Sequence, residues 1–197
     1  MATGSPSDTA DLILSLASSR PATLGEGRLI CVDGPAGSGK TTLGAALAER
    51  TGAQLIHGDD LMEGWRGLDA VGRQLATLAA DLAAGQPGRY AHFDWQHHRY
   101  DHTVAVPPAP WLVVEGVGSG AAAIAPYTTV LVWVEVDDDL RLARGMARDG
   151  EEMRDHWLTF MTDERSLFAR ERTRERADVL VDGTGARPPV TRSEPGQ

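Results

Sequence analysis

The sequence predicts an α/β fold in which helices cover both faces of a five-stranded parallel sheet. Five short apolar runs begin near residues 28, 53, 111, 129 and 178, and segments with helical spacing separate them. A chain of 197 residues is long enough for one sizeable core and short for two. We therefore expect a single domain, residues 1–197, with its core at about 28–183, a few flexible N-terminal residues and a loose tail at 184–197.

The first apolar run, residues 29–32, leads into a glycine-rich loop at 34–41. The loop sequence, GPAGSGKT, matches the phosphate-binding pattern G-x-x-x-x-G-K-[ST], and Leu43 and Leu47 then follow at helix spacing. Glycine permits positive φ angles and brings backbone N–H groups close to phosphate oxygens, while the helix adds its N-terminal dipole. The candidate nucleotide-binding residues are Gly34, Ala36, Gly37, Ser38, Gly39, Lys40, Thr41 and Thr42.

Lys40 is the only lysine of the chain, because the other long basic side chains are all arginine. A compact ammonium group on a flexible stem fits inside a tight loop around the β- and γ-phosphates better than a wide, planar guanidinium does. The alternative is a glycine-rich turn that only joins a strand to a helix. The matching strand and helix on either side favour phosphate binding.

Asp59 and Asp60 follow the second apolar run, residues 53–57. In an open parallel sheet, ligands bind beyond the carboxyl ends of the strands, so both acids should share an edge with the phosphate loop. Helix capping is the alternative, because two aspartates before a helix need no chemistry. The neighbouring phosphate loop favours a catalytic role for one of them.

An amphipathic helix is predicted at 68–84, and the segment after it, 88–104, is rich in aromatic and polar side chains. Its histidines are separated by 5, 1 and 4 positions, which matches no common zinc pattern, and no cysteine accompanies them. A metal site is therefore the weakest of three interpretations. A hairpin with its aromatic side chains packed underneath is the second. The favoured one is an insert that binds a small ligand.

The third run, residues 111–116, is an apolar strand that ends in Glu115 and a glycine. In phosphate-loop enzymes, an acid at such a strand end holds the water shell of Mg²⁺, and a loop hydroxyl such as that of Thr41 is a direct ligand. Thr41 and Glu115 are therefore the candidate magnesium residues. An ordinary acid at the end of a strand is the alternative.

Arg141, Arg144 and Arg148 lie three and four positions apart, which places all three on one face of a helix. Much of the chain's arginine is concentrated here, since nine arginines lie between 141 and 176. Salt bridges to acids of the next helix are one interpretation. The favoured one is a lid that clamps phosphate groups.

Charge and composition narrow the classes of partner. A net charge of −9 argues against a nucleic-acid groove or an anionic membrane surface, because both select for basic patches. No apolar stretch approaches the ~18 residues of a membrane span, and the N-terminal region lacks the basic start of a secretory signal. The single cysteine, Cys31, precludes an internal disulfide. We expect small-molecule chemistry in the reducing cytoplasm.

In several sequence blocks the chain resembles the uridine kinase family. This family is one of the phosphate-loop kinases, which include phosphoribulokinase, nicotinamide riboside kinase and pantothenate kinase. The resemblance covers about residues 28–183, and the blocks occur in the same order as in that family. They are VDGPAGSGKTT at 32–42, the Asp-Asp pair after the second strand, VVEG at 113–116, RLARGMARD at 141–149 and ADVLVDG at 177–183.

The resemblance implies a three-layer P-loop kinase fold, with the strands that begin near 53, 111, 28, 129 and 178 side by side in that sequence. It implies ATP and Mg²⁺ as cofactors, with Lys40 on the phosphates and Thr41 on the metal. It further implies Asp59 as the general base and Glu115 near the metal. The lid arginines that it implies are Arg144 and Arg148.

The resemblance also implies a small hydroxylated acceptor, most closely a nucleoside, with a sugar or vitamin as an alternative. Where many uridine kinases carry an aromatic pair after the catalytic aspartate, this chain has Asp60-Leu61-Met62. Flat side chains next to hydrogen-bonding groups suit a ring that bears hydroxyls. The candidate acceptor-binding residues are Asp59, Trp65, Asp69, Tyr90, Asp94, Trp95 and His98. A nucleotide-dependent switch that acts on a partner protein is the rival from another class.

Overall fold

A computed structural model describes residues 5–192 of the chain. Eight strands form in these residues, six of them in a central sheet and two in a separate hairpin. The strands are β1 (Arg28–Asp33), β2 (Gln54–His57), β3 (Gly88–Asp94), β4 (Arg99–Val106), β5 (Trp111–Glu115), β6 (Val130–Glu135), β7 (Val179–Asp182) and β8 (Val190–Thr191).

The order of strands in the central sheet is β2-β5-β1-β6-β7-β8. The first five are parallel to one another, so the predicted fold class and the order implied by the family resemblance are both confirmed. β1 lies in the middle because its side chains are apolar on both faces. Ile30 and Val32 face one layer of helices, and Leu29 and Cys31 face the other.

The helices supply the two outer layers. α1 and α2 contribute buried side chains to the core on one face of the sheet, and α3 and α5 contribute to the core on the other. Among the described residues, no helix has the length and apolar character needed to cross a membrane. The helices are α1 (Pro6–Ser19), α2 (Lys40–Thr51), α3 (Leu68–Ala83), α4 (Asp138–Asp149), α5 (Arg154–Glu171) and α6 (Thr173–Arg176).

The sheet has one strand more than the sequence predicts. Val190 and Thr191 lie in the segment expected to be a loose tail, yet they pair antiparallel with Leu180 and Val179 of β7. Two residues carry too little pattern to indicate a strand, and the open backbone edge of β7 provides the pairing. Of the ends predicted to be loose, residues 1–4 and 193–197 lie outside the described residues. Residues 5–7, also expected to be loose, instead begin α1, where the Ser5 side chain caps the helix.

The hairpin formed by β3 and β4 packs against α3 and the segment that follows β2. The side-chain amide of Gln74 in α3 accepts a 2.7 Å hydrogen bond from Ala91 N–H and donates one of 3.0 Å to the Leu61 carbonyl. The Trp95 indole donates to the Asp59 carbonyl at 3.0 Å, and the Tyr100 hydroxyl donates to the Leu61 carbonyl at 3.1 Å. The hairpin is thus fixed beside the carboxyl end of β2.

Candidate active site

The phosphate loop runs from the end of β1 to the first turn of α2. Its glycines take positive φ angles of 141° at Gly34, 77° at Gly37 and 102° at Gly39. A Cβ at Gly34 would lie 2.1 Å from the Val134 carbonyl oxygen, so only glycine fits there. The loop opens onto the N terminus of α2, which is an arrangement that favours anions.

A buried carboxylate, that of Asp33, holds the loop from behind. Its Oδ1 accepts hydrogen bonds from the N–H groups of Gly34 at 2.7 Å and Gly118 at 3.0 Å. Its Oδ2 accepts one from Gly120 N–H at 2.8 Å. Burial raises the pKa of Asp33 to about 6, while these three hydrogen bonds favour the charged form. Asp33 therefore ties the phosphate loop to the loop that follows β5.

A second buried acid, Glu164 of α5, holds the loop from the side. Its Oε2 accepts a 2.9 Å hydrogen bond from Ala36 N–H, and its Oε1 pairs with the guanidinium of Arg141. Both side chains of the pair are almost fully shielded from solvent. Burial raises the pKa of Glu164, and the Ala36 N–H and the charge of Arg141 oppose this rise. The sequence analysis did not single out Glu164, because nothing in a helical pattern shows which acid faces inward.

Lys40 and Thr41 begin α2 at the inner side of the loop. The Lys40 ammonium donates to the Pro35 carbonyl at 2.8 Å, and burial lowers its pKa, opposed chiefly by the charge of Glu115. The Thr41 hydroxyl donates to Glu115 Oε1 at 3.2 Å. His57, a residue that sequence reasoning missed, places its Nδ1 2.6 Å from the same oxygen.

Thr41 and Glu115 fit a magnesium ion. Mg²⁺ prefers hard oxygen ligands and retains several of its waters. The two side chains offer a hydroxyl and a carboxylate oxygen 3.2 Å apart beside the phosphate loop. Both also border the large cavity described next, which leaves room for the water shell.

A cavity of about 900 Å³ extends from the phosphate loop to the tip of the hairpin. This volume is within the range of small-molecule sites. At one end it is bordered by the loop, by the start of α2 and by residues 181–185, which form the end of β7 and the turn after it. Of the predicted nucleotide-binding residues, all but Gly34 and Ser38 line it; Gly34 packs against β6, and Ser38 is fully buried.

The other end of the cavity is aromatic. Trp65 makes edge-to-face contacts with Trp95, Trp157 and Phe160, with ring centroids 5.9, 6.3 and 5.6 Å apart. Asp59 also lines the cavity, and its carbonyl accepts the hydrogen bond of the Trp95 indole. Burial lowers the pKa of Lys40 in the phosphate loop, and the charge of Asp59 is among those that oppose this effect. Asp59 is therefore close to both ends of the cavity.

The structure divides the predicted acceptor-binding residues into two groups. Asp59, Trp65, Trp95 and His98 line the cavity. Asp69, Tyr90 and Asp94 do not, and each has another environment.

Asp69 pairs with Arg170 at 2.6 Å on an exposed surface, and Tyr90 is buried in the core beneath the hairpin. Asp94 accepts hydrogen bonds from the backbone of Gln96 at 2.8 Å and His97 at 3.1 Å inside its own turn. These three side chains thus lie outside the cavity. Asp69 belongs to α3, where it faces Arg170, and the directions of Tyr90 and Asp94 depend on the register of the hairpin, which residue type does not specify.

The three arginines predicted to form one face have different roles in the structure. Arg144 donates to the Gly37 carbonyl at 3.1 Å, and Arg148 pairs with Asp149 at 2.7 Å; both line the cavity. Arg141 instead turns into the core, where it pairs with Glu164. The salt-bridge interpretation thus applies to Arg141, and a lid of Arg144 and Arg148 stays a prediction.

Comparison with known proteins identifies a family for this chain. A family model for the AAA domain matches residues 29–193. The chain belongs to this family. No curated protein matches it.

Solved structures with the same fold as this AAA-domain chain include named kinases. A possible uridine kinase from Bacillus stearothermophilus superposes with a TM-score of 0.62 over 89% of this chain and 98% of its own, at 19% sequence identity. A candidate fructose transport system kinase from Silicibacter sp. TM1040 gives 0.57 over 82% and 94%, at 16% identity. The chain therefore has a P-loop kinase fold.

The buried pair of Glu164 and Arg141 should dominate the stability of the site. Glu164→Gln leaves a guanidinium buried without its main counter-charge, and we expect it to lower the free energy of unfolding by about 3–5 kcal/mol. The matched control is Asp138→Asn, which removes a half-exposed partner of the same Arg141. It should cost less than about 1 kcal/mol. Urea titration measures both, and equal losses would contradict the assignment.

Proposed function

We propose that the chain is a kinase that uses ATP and Mg²⁺ to phosphorylate a hydroxyl group of a small acceptor with an aromatic ring, most simply a nucleoside. The observation that carries this proposal is the continuity of one cavity. The phosphate loop borders one end and aromatic side chains border the other, and Asp59 bonds to Trp95 through its carbonyl and acts electrostatically on Lys40. The shared fold with named kinases supports the reaction class.

In this proposal Asp59 is the general base. Its carboxylate accepts the proton of the acceptor hydroxyl as that oxygen attacks the γ-phosphorus in line. The acceptor must therefore lie within hydrogen-bond reach of Asp59. The charge of Asp59 acts on both Lys40 and Arg148, which supports a carboxylate close to the phosphate-binding end of the cavity.

The positive groups of the site stabilise the charge on the transferred phosphoryl group. Lys40 lies inside the loop, and Arg144 and Arg148 approach from α4. Thr41 and Glu115 would hold Mg²⁺, which would supply positive charge that offsets part of the charge of the phosphate groups. Catalysis of this kind requires positioning and electrostatics and no covalent intermediate.

The aromatic end supports a ring-bearing acceptor over a sugar acid. Three tryptophans and a phenylalanine line this end, and the charged side chains of Arg148 and Asp149 beside them are already paired with each other. Stacking with one or two hydrogen bonds is how proteins hold such rings. A sugar acceptor would require more hydrogen-bonding groups than this end offers.

The rival function is a nucleotide-dependent switch that acts on another protein. The sequence lacks an N-K-x-D guanine-reading motif. A cavity that continues well beyond the phosphate loop also favours a second small molecule. Measurement of ADP release with ATP alone, with a panel of nucleosides and with a panel of sugars and vitamins tests the proposal. Turnover stimulated by a nucleoside, with a phosphorylated product in the mass spectrum, supports it, and no stimulation by any small molecule contradicts it.

The aromatic end should determine acceptor affinity. We expect Trp95→Ala to raise the acceptor KM about three- to tenfold, through loss of an aromatic face, and to leave the ATP dissociation constant within about threefold. Asp94→Ala is the matched control, because its carboxylate bonds within its own turn. Steady-state kinetics with the best acceptor of the screen measures both. A parallel loss of ATP affinity in Trp95→Ala would assign this residue to folding.

The phosphate loop should require a lysine. Lys40→Ala should abolish phosphoryl transfer, and Lys40→Arg should not restore it, because the buried position inside the loop accommodates a point charge and not a planar fork. Transfer is followed with radiolabelled ATP, and thermal melting checks that both variants fold. Activity of Lys40→Arg near that of the unmodified protein would remove the lysine from its central role.

The two aspartates after β2 should differ sharply. Asp59→Asn should lower kcat by roughly 10²–10⁴, the usual contribution of a general base, with ATP binding retained. Asp60→Asn should stay within about tenfold, because its carboxylate lies toward His92. Single-turnover kinetics with bound ATP separates chemistry from binding. The reverse pattern would move the base to Asp60.

A further inference from the structure

Two histidines face each other across the hairpin. In the antiparallel ladder of β3 and β4, His92 is directly opposite His102, so their side chains lie on the same face. The two imidazole rings stack with centroids 4.5 Å apart and planes 30° from parallel. Their spacing of ten residues in the sequence does not predict this contact, because the two rings meet only through the register of the hairpin.

A β-bulge adds a carboxylate to this face. The ladder pairs His92 with His102 and then Phe93 with Tyr100, so that Asp101 is an extra residue on β4. Neighbours in a regular strand point to opposite faces, but a bulge redirects the side chain of the extra residue. Asp101 Oδ1 accordingly lies 2.9 Å from Nδ1 of His92 and 2.7 Å from Nδ1 of His102.

We propose that His92, Asp101 and His102 form a binding site for one divalent transition-metal ion, with Zn²⁺ as the best chemical match. Two imidazoles and one carboxylate are ligands that Zn²⁺ takes, and Mg²⁺ sites in contrast are built from oxygen atoms. One ligand atom from each residue can be chosen so that all three lie within 4.8 Å of one another. Three protein ligands leave the fourth tetrahedral position open.

The distances permit an ion with little rearrangement. Zinc bonds of about 2.0–2.2 Å in a tetrahedron place ligand atoms roughly 3.3 Å apart. The oxygen–nitrogen distances of 2.9 and 2.7 Å therefore have to lengthen by only about half an ångström. The side chains of His92 and Asp101 are about 30% exposed and that of His102 is 55% exposed, so that an ion can enter from solvent.

A further carboxylate has the position of an outer partner. Histidines that bind metal usually direct their other ring nitrogen at a carboxylate or carbonyl, which fixes the ring and increases its basicity. With Nδ1 of His92 on the ion, Nε2 is the other nitrogen, and Asp60 Oδ1 lies 3.9 Å from it. Asp60 would therefore orient the histidine without touching the metal.

This site is separate from the magnesium site of the proposed function. None of the three ligands borders the large cavity, whereas Thr41 and Glu115 both do. The hairpin also supplies Trp95 to the aromatic end of that cavity. A metal ion between β3 and β4 would thus stabilise the element that carries Trp95.

The hairpin contains its own matched control. His97 and Asp94 form a histidine–carboxylate pair at 2.7 Å, close to the distances in the cluster, but one imidazole and one carboxylate make only two ligands. If the cluster of three were merely hydrogen-bonded, it should have no higher affinity for metal than this pair. The cluster of three should differ from it in metal affinity.

The test is a calorimetric titration of the full chain with ZnCl₂ after removal of metals with a chelator, in excess MgCl₂ and without nucleotide. We expect one equivalent of Zn²⁺ to bind, His102→Ala and Asp101→Asn to weaken binding at least tenfold, and His97→Ala to leave it unchanged. Asp60→Asn should weaken it about tenfold, as loss of an outer partner does. Co²⁺ as a probe should give the intense visible absorption of a tetrahedral site, and His102→Ala should abolish it.

Two results would overturn the proposal. One is the absence of a stoichiometric zinc site in the unmodified chain, which would leave Asp101 as a hydrogen-bond acceptor for two histidines only. The other is equal zinc affinity in His102→Ala and the unmodified chain, with both folded by thermal melting. Since nucleotide and acceptor are absent from the titration, neither result bears on the kinase proposal.

Discussion

The site depends on two carboxylates that are buried behind the phosphate loop. A loop of small residues with positive φ angles has little intrinsic preference for one conformation. Asp33 fixes its first residue and the loop after β5, and Glu164 fixes the Ala36 N–H from α5. Burying two acids costs free energy, and hydrogen bonds from backbone N–H groups and the charge of Arg141 offset that cost. The loop is therefore held in shape before any ligand arrives.

The ion pair of Glu164 with Arg141 also links α4 to the phosphate loop. Arg141 and Arg144 are on one helix, α4; Arg141 pairs with Glu164 inside the core, and Arg144 reaches the Gly37 carbonyl. One helix turn thus joins the packing of α4 against α5 to the contact of Arg144 with the phosphate loop. The fold of this AAA-domain chain, shared with proteins named as kinases at 16% and 19% identity, is compatible with many acceptors.

The hairpin of β3 and β4 contributes to an aromatic character at one end of the cavity that the phosphate loop at the other end lacks. It is held by hydrogen bonds from the side chains of Gln74, Trp95 and Tyr100 to backbone carbonyls of residues 59 and 61, and it brings the indole ring of Trp95 to the far wall of the cavity. Its outer face carries the cluster of His92, Asp101 and His102. One short element thereby contributes to the proposed acceptor end on one side and to the proposed metal site on the other.

The sequence by itself determined the five parallel strands and the location of the phosphate loop, and the family resemblance supplied their order. Strand periodicity and the loop pattern each involve only a few neighbouring residues, so they can be recognised in the sequence alone. The placing of Asp59 beyond β2 and of Glu115 at the end of β5 followed from the rule that parallel strands end at one edge. Both positions follow from the order of residues and strands along the chain.

Only the tertiary structure decided which side chains meet. The inward turn of Arg141 toward Glu164 depends on how α4 packs against α5, and helical spacing alone places it with Arg144 and Arg148. The separation of Trp95 from Asp94, and the meeting of His92 with Asp101, depend on the register and bulge of the hairpin. A shift of one residue in a strand reverses every side chain, so a sequence pattern without a partner strand cannot determine them.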